Sequence, residues 1–152
     1  MSVKQTQNPM PPEFRVAALD DINDLINIRA QCFGKNWSAA QFQDILIASQ
    51  YATLLIPQTA YAIIQKIPPE AELITIAVAP SYRRQGIAEH LLKNIQQILQ
   101  TEKIHTLHLE VNENLTAARA LYEKMGFRQT GRRADYYGAG EDAILMRMET
   151  PL

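Results

Sequence analysis

The sequence predicts an α/β (α+β) fold around one mixed sheet. Three observations carry this. A β-branched apolar run, Leu73 to Ala79, stops at Pro80 and passes through a short turn into an amphipathic helix. Before it, the apolar runs Tyr51 to Ile56 and Tyr61 to Ile67 flank Pro57-Gln58-Thr59 and read as a hairpin. After it, strand and helix patterns alternate, the layout of a layered sheet.

Taken in order, residues 1–12 are polar, end in Met10-Pro11-Pro12, and read as a flexible tail before a single domain, 13–152. Phe14 to Leu19 is a strand. Asp20 or Asp21 then caps a helix carrying Ile22, Leu25, Ile26, Arg29, Cys32 and Phe33 at helical spacing, and Gly34 ends it. Ser38 and Gln41 form a capping-box pattern for a second helix with Phe42, Ile45 and Leu46 inward. The hairpin follows, closed by Pro68-Pro69, and Leu73 to Ala79 is the central strand. Gln85 to Leu99 is a helix with an apolar stripe of Ile87, Leu91, Leu92, Ile95, Ile98 and Leu99. Ile104 to Val111 is a strand, and Asn114 caps a helix to about Met125. Gly126-Phe127 opens a strand to about Gly131, and Ala143 to Met148 is the last.

Composition narrows the function. At 152 residues the chain is long enough to bury one real core. A formal net charge of −1 argues against binding nucleic acid through bulk charge. The single cysteine, Cys32, excludes an intrachain disulfide and fits a reducing, cytoplasmic setting. It reads as a core thiol rather than a nucleophile. His90, His105 and His108 do not make metal-ligand spacing with it, so no metal is expected. No signal-peptide core and no membrane-length apolar stretch occurs, so no membrane partner is expected.

The most informative stretch is Arg83-Arg84-Gln85-Gly86-Ile87-Ala88-Glu89, between a strand end and a helix start. Free amides of a first helical turn, together with the helix dipole, make an anion site. Gly86 lets the backbone approach a phosphate, Ala88 is small, and Arg83 and Arg84 add counter-charge. There is no G-x-x-x-x-G-K-[ST] and no G-x-G-x-x-G, so neither a P-loop nor a dinucleotide site is supported.

The pattern [RQ]-x-x-G-x-[GA] in this setting resembles the coenzyme A pyrophosphate motif of the GNAT superfamily of N-acetyltransferases. The strings L-E-V (109–111), A-L-Y-E-x-x-G-F (120–127), R-x-x-Y-Y (133–137) and G-x-E-D-A-x-x-M (residues 139–146), with Asn36-Trp37-Ser38, resemble the family further. Together they are most like the bacterial alanine N-acetyltransferases of ribosomal proteins, over roughly residues 14–148. The resemblance implies a mixed, mostly antiparallel twisted sheet with a splayed central strand pair and helices on both faces. It implies acetyl-CoA as cosubstrate, held by Arg83 to Glu89 and by strand amides at Ile76, Ala77 and Val78. Glu110 takes the family's general-base position and Tyr122 its general-acid position. Trp37, Tyr136 and Tyr137 flank the acceptor, a protein N-terminal amine. Oligomeric state is expected to be monomer or weak dimer.

The chemistry agrees with those residue types. An acceptor ammonium must lose a proton, the thioester oxygen needs a donor, and the leaving thiolate benefits from an acid. The apolar neighbours Leu107, Leu109 and Val111 lead to the expectation that Glu110 is desolvated, which raises a carboxylate's pKa. His108 shares its strand face and is a rival relay. Rival readings make Tyr122 a core phenol, Tyr136-Tyr137 an exposed hairpin turn, and Glu141-Asp142 mere turn carboxylates. The sequence departs from the family in three places. Leu115 sits where an asparagine usually contacts coenzyme A, so either Asn112 or Asn114 takes that role or the contact is lost; Ala88 replaces the second glycine of the motif, which the family tolerates; and Glu89 sits where a basic residue is common. A small-molecule or lysine acetyltransferase of the same fold, or a non-catalytic coenzyme-A-binding module, are the alternatives.

Overall fold

A computed structural model describes residues 12–33 and 37–150. The expected tail up to Pro11, the helix stop at Gly34, and Asn36 lie outside the described residues. The strands are β1 (Arg15–Val16), β2 (Tyr51–Ile56), β3 (Ala60–Ile67), β4 (Glu70–Val78), β5 (Thr106–Asn112), β6 (Arg128–Gly138) and β7 (Glu141–Glu149). The helices are α1 (Ile22–Cys32), α2 (Ala39–Ile47), α3 (Ile87–Thr101) and α4 (Thr116–Lys124). The strands form one sheet in the order β1-β2-β3-β4-β5-β7-β6. Every neighbouring pair is antiparallel except β4 and β5, which run parallel.

Strand alternation splits the core into two layers. Leu54, Ile56, Ala62, Ile64, Leu107, Leu109 and Val111 pack with α3 and α4 on one face. Leu55, Tyr61, Ile63 and Ala77 pack with Leu25, Ile28 and Phe42 of α1 and α2 on the other. Helix α3 is the main anchor. Its residues Ile87, Leu91, Leu92, Ile95 and Leu99 are all buried, each contributing about 1.5–3 kcal/mol relative to exposure. The Ser38–Gln41 capping box forms in both directions, at 3.1 and 2.7 Å, and starts α2.

Several boundaries differ from the sequence expectation. β1 is only two residues long, because the chain turns early into a short 3-10 segment at Leu19–Asp21. Asp21 does sit at the N-cap of α1, but its carboxylate accepts from the Ala18 amide (2.7 Å) and pairs with Arg15 (2.6 Å). β4 begins at Glu70, paired with Ile67 across the Pro68-Pro69 turn. Helix α3 begins at Ile87 rather than Gln85, because Gly86 (φ 77°) and Arg84 (φ 63°) are left-handed. Asn114 does not cap α4. Leu115 holds that position, while the Asn114 amide donates to Asn112 Oδ1 (3.0 Å). β6 runs on to Gly138, so Tyr136 and Tyr137 lie on the strand and not in its turn. As an edge strand it is exposed almost throughout, and no period-2 apolar signal marks it.

The Arg15–Asp21 contact makes a pH prediction. The Arg15 hydrogen bond, then the Ala18 amide, lowers the Asp21 carboxyl to about 2. A depressed folded pKa gives stability present above the ordinary carboxylate range and lost as pH falls toward 2. Asp21→Asn is expected to lower the melting temperature modestly at pH 7, with most of the difference from wild type lost as pH falls to about 2. A difference constant with pH would contradict this.

Candidate active site

A bulge and a splay create the opening on which the site is built. In the β3–β4 ladder Ile63 opposes Thr75 while Ile64 opposes Leu73, so Ile74 is an extra residue. β4 pairs with β5 only at Glu70–Thr106, Ala71–Leu107 and Glu72–His108. Beyond those pairs the two strands part. Ladder bonds alternate sides along an antiparallel strand. The Ala79 amide bonds back to the Thr59 carbonyl (2.8 Å), so Ala77 and Thr75 also face β3. The amides of Ile76 and Val78 therefore turn toward the parted side. Ala77, one of the three residues expected there, turns its amide away.

The cradle lies at the end of β4. Gly86 has no side chain to cap α3, so first-turn amides lack a side-chain acceptor. A Cβ built on Gly86 meets no atom within 4 Å. Arg84 holds a left-handed φ at a cost of roughly 1–2 kcal/mol, which a non-glycine residue tolerates only when its surroundings impose it. A cleft of about 280 Å³ lies between this turn and α4, lined by Val78, Tyr82, Arg83, Arg84, Gly86, Ile87, Ala88, Glu89, Ala117 and Leu121. Gln85 and Asn114 do not line it. Arg83 Nε donates to the Val78 carbonyl (2.9 Å) and ties the turn to the strand. Open amides, two arginines and free space above Gly86 fit a pyrophosphate. The Glu89 carboxylate leans on Lys124 of α4 (3.2 Å) and on Lys93 (3.4 Å), which hold it below the ordinary carboxylate range. The sequence reading missed Lys124, because α3–α4 packing alone brings it here.

Glu110 lies on the α1/α2 face of β5, with His108, above a second cavity of about 320 Å³. Its side chain is 23% exposed and sits 3.4 Å from Arg133 on β6. The expectation that Leu107, Leu109 and Val111 desolvate it does not hold, since those side chains point to the opposite face. His108 instead meets Glu70 at 3.5 Å. Tyr122 comes from the other face. Its ring is buried to 7% exposure in the core, edge-on to Phe127 at 5.7 Å. No hydrogen bond to its hydroxyl occurs among the described residues. Burial, with Tyr137 nearby, pushes the phenol up to about 12. The Tyr137 phenol is also raised, by burial first and then by the charge of Glu110.

Tyr136 and Tyr137 are exposed and meet edge to face at 5.0 Å. A bulge between Arg133 and Gly138, with Asp135 at φ 53°, sets them off from the regular ladder. The carboxylate of Asp142 takes the Asp135 amide (2.9 Å) and Arg132 (2.8 Å), which pins this bulge. Asp142 is therefore more than a turn carboxylate. Trp37 stacks on Phe42 (5.2 Å) and on the Arg29 guanidinium (3.9 Å). Arg29 and Arg133 were not among the expected site residues. Among the described residues there is no group of three or more His, Cys, Asp or Glu able to hold a metal, and no helix long and apolar enough to cross a membrane.

A strand-end turn with open first-turn amides beside a parted parallel pair, within this sheet order, fits an acyltransferase. Residues 22–127 match the acetyltransferase (GNAT) family, and the chain belongs to it. It is 31% identical over 134 residues to a Bacillus subtilis protein proposed as a ribosomal protein bS18-alanine N-acetyltransferase, covering 84% of this chain and 89% of that one. It is 42% identical over 92 residues to the Escherichia coli ribosomal protein bS18-alanine N-acetyltransferase, covering 59% of this chain and 62% of that protein. The crystal structure of the ribosomal-protein-S18-alanine N-acetyltransferase from Escherichia coli superposes with a TM-score of 0.85 at 31% identity, over 92% of this chain and 94% of that one.

Proposed function

We propose that this enzyme transfers acetyl from acetyl-CoA directly to the N-terminal α-amine of a protein, with an alanine of a ribosomal protein the first candidate, in the cytoplasm and as a monomer or weak dimer. The observation that carries the reading is that the parted β4–β5 pair has Glu110 on one face and Tyr122 on the other, with the cradle at its cofactor end. The names of the Bacillus subtilis and Escherichia coli relatives favour this acceptor.

When bound, acetyl-CoA supplies an acetyl thioester. The amides of the α3 first turn, with Arg83 and Arg84, hold the pyrophosphate. The Ile76 and Val78 amides hold the acyl arm and its carbonyl oxygen. Glu110 takes the ammonium proton, directly or through water, which is a modest demand because an α-amine has a pKa of about 7.7–8.0. Tyr122 gives its hydroxyl proton to the departing thiolate, and a phenol raised to about 12 is in its acid form at every working pH. No metal enters this scheme.

An acceptor panel read by mass spectrometry tests it. An Ala-starting peptide is expected to be acetylated at its α-amine faster than free lysine, an N-blocked lysine peptide or a polyamine. Faster reaction at an ε-amine or polyamine overturns the acceptor, and coenzyme A binding without any turnover overturns the enzyme. Truncating Tyr136 and Tyr137 together to Ala is expected to raise KM for peptide far more than KM for acetyl-CoA. Equal effects on the two substrates would assign the pair a purely structural part.

A further inference from the structure

Two lysines converge on one carboxylate at the rim of the cradle. Glu89 is the third residue of α3 and the one carboxylate among the residues lining the cleft between the turn and α4. Its Oε2 takes the Lys124 ammonium at 3.2 Å and its Oε1 the Lys93 ammonium at 3.4 Å. Lys93 stands one turn further along α3, and Lys124 comes from the last turn of α4. On α4, Ala117 and Leu121 line the cleft. Lys124 follows them at helical spacing and continues the same face. Lys93 and Lys124 stay 61% and 65% exposed. Neither meets a second carboxylate among the described residues, and Arg83 and Arg84 make no ion pair there.

Positive charge is therefore in excess at this rim. One carboxylate faces two ammoniums, and each ammonium has donors beyond the one it spends on Glu89. Exposed pairs of this kind add little to stability, and the buried stripe of α3 already holds that helix in the core. Coenzyme A carries two phosphate groups. The first-turn amides with Arg83 and Arg84 account for its pyrophosphate. Its ribose also bears a phosphomonoester, with a charge of about −1.5 to −2 near neutral pH. That group is attached beside the pyrophosphate, so its counter-charge has to stand next to the cradle and outside it. Lys124 and Lys93 stand there.

We infer that Lys124, with Lys93, is the subsite for the 3′-phosphate of coenzyme A, and that Glu89 is a positioning residue that holds both ammoniums toward it. The inference rests on the proposed seat of the pyrophosphate at the start of α3. An acidic residue where the resembling family commonly has a basic one is then no lost contact. It recruits two cations, one from another helix, and leaves the balance positive. A lysine already tethered also gives up less side-chain freedom when it takes a phosphate.

Calorimetry tests this with coenzyme A and 3′-dephospho-coenzyme A on wild type, Lys124→Gln, Lys124→Arg, Lys93→Gln and Glu89→Gln, alongside thermal melting of each. Wild type is expected to prefer coenzyme A by about tenfold or more, the scale of a hydrogen bond between charged groups. Lys124→Gln is expected to remove most of that preference, weakening coenzyme A while dephospho-coenzyme A binds as before. Lys93→Gln should remove part of it, and Lys124→Arg, which keeps the charge, should retain it. Glu89→Gln is expected to lower the preference, the opposite sign to that of a carboxylate that only repels phosphate. Equal affinity of wild type for the two ligands, or an unchanged preference in folded Lys124→Gln, overturns the subsite. Equal weakening of both ligands by Lys124→Gln puts this lysine on the pyrophosphate and overturns it too. A preference that rises in Glu89→Gln overturns the positioning role. Should Lys124→Gln not fold, the wild-type preference and Lys93→Gln decide. Failure of the underlying reading looks different: Gly86→Val would leave the binding of both ligands intact, whatever the lysine variants do.

Discussion

Replacing Glu110 with Gln is expected to lower kcat by roughly 10²–10⁴-fold, the usual scale for losing one general base. The side chain is nearly isosteric and its Arg133 partner lies at an exposed rim, so stability should change little. The loss should shrink as pH rises through the pKa of the acceptor amine, because a neutral amine needs no base. Tyr122→Phe is the companion test. Its ring packs against Phe127 while its hydroxyl bonds to nothing among the described residues, so the melting temperature should hold while the rate falls. The cost should be smaller for an acyl donor with a more acidic thiol. With the phenol raised to about 12, wild type should show no alkaline limb from Tyr122 in the ordinary tyrosine range. Full activity of Tyr122→Phe would leave it a core phenol. Equal activity of Glu110→Gln at all pH values would move the base elsewhere, with water or His108 next.

Gly86→Val is expected to abolish coenzyme A binding in a folded domain. A Cβ at Gly86 meets no protein atom, so the substitution has no internal clash to drive unfolding. What it does carry is a β-branched residue at φ 77°, where only glycine is comfortable, and bulk beside the cradle. The backbone relaxes out of the left-handed region or the side chain crowds the phosphates, and either removes the amide cradle. Calorimetry with coenzyme A, alongside thermal melting, reads this directly. Unchanged affinity in a folded variant would place the pyrophosphate elsewhere. Gly86→Ala should weaken binding less, because it adds the strain with little of the bulk.

Local chemistry was legible in the sequence because it depends on near neighbours. The Ser38–Gln41 box, the α3 stripe and the strand–turn–helix order of the cradle are each settled within a few residues, and each forms where the sequence places it. The exact start of α3 was less so, since the left-handed turn at Arg84 and Gly86 overrides the helical pattern of Gln85. Features that depend on contacts distant in sequence were not legible. The exposed β6 edge lacks an apolar period, and only pairing with β7 reveals its length. The bulge at Ile74 exists only relative to β3, yet it shifts the side-chain alternation of β4.

Residue identity and spacing alone determined the strand, turn and helix of the proposed cradle, and the acid and base candidates of the resembling family. The tertiary structure decided which face each candidate serves. Leu107, Leu109 and Val111 face the α3/α4 core, which leaves Glu110 on the opposite side with Arg133. It also brought together Arg29 of α1, Trp37 from the connection before α2, Tyr61 of β3 and Thr75 of β4. The physical reason is that a strand's period of two fixes relative faces, while pairing, splay and helix docking fix which neighbour each face meets.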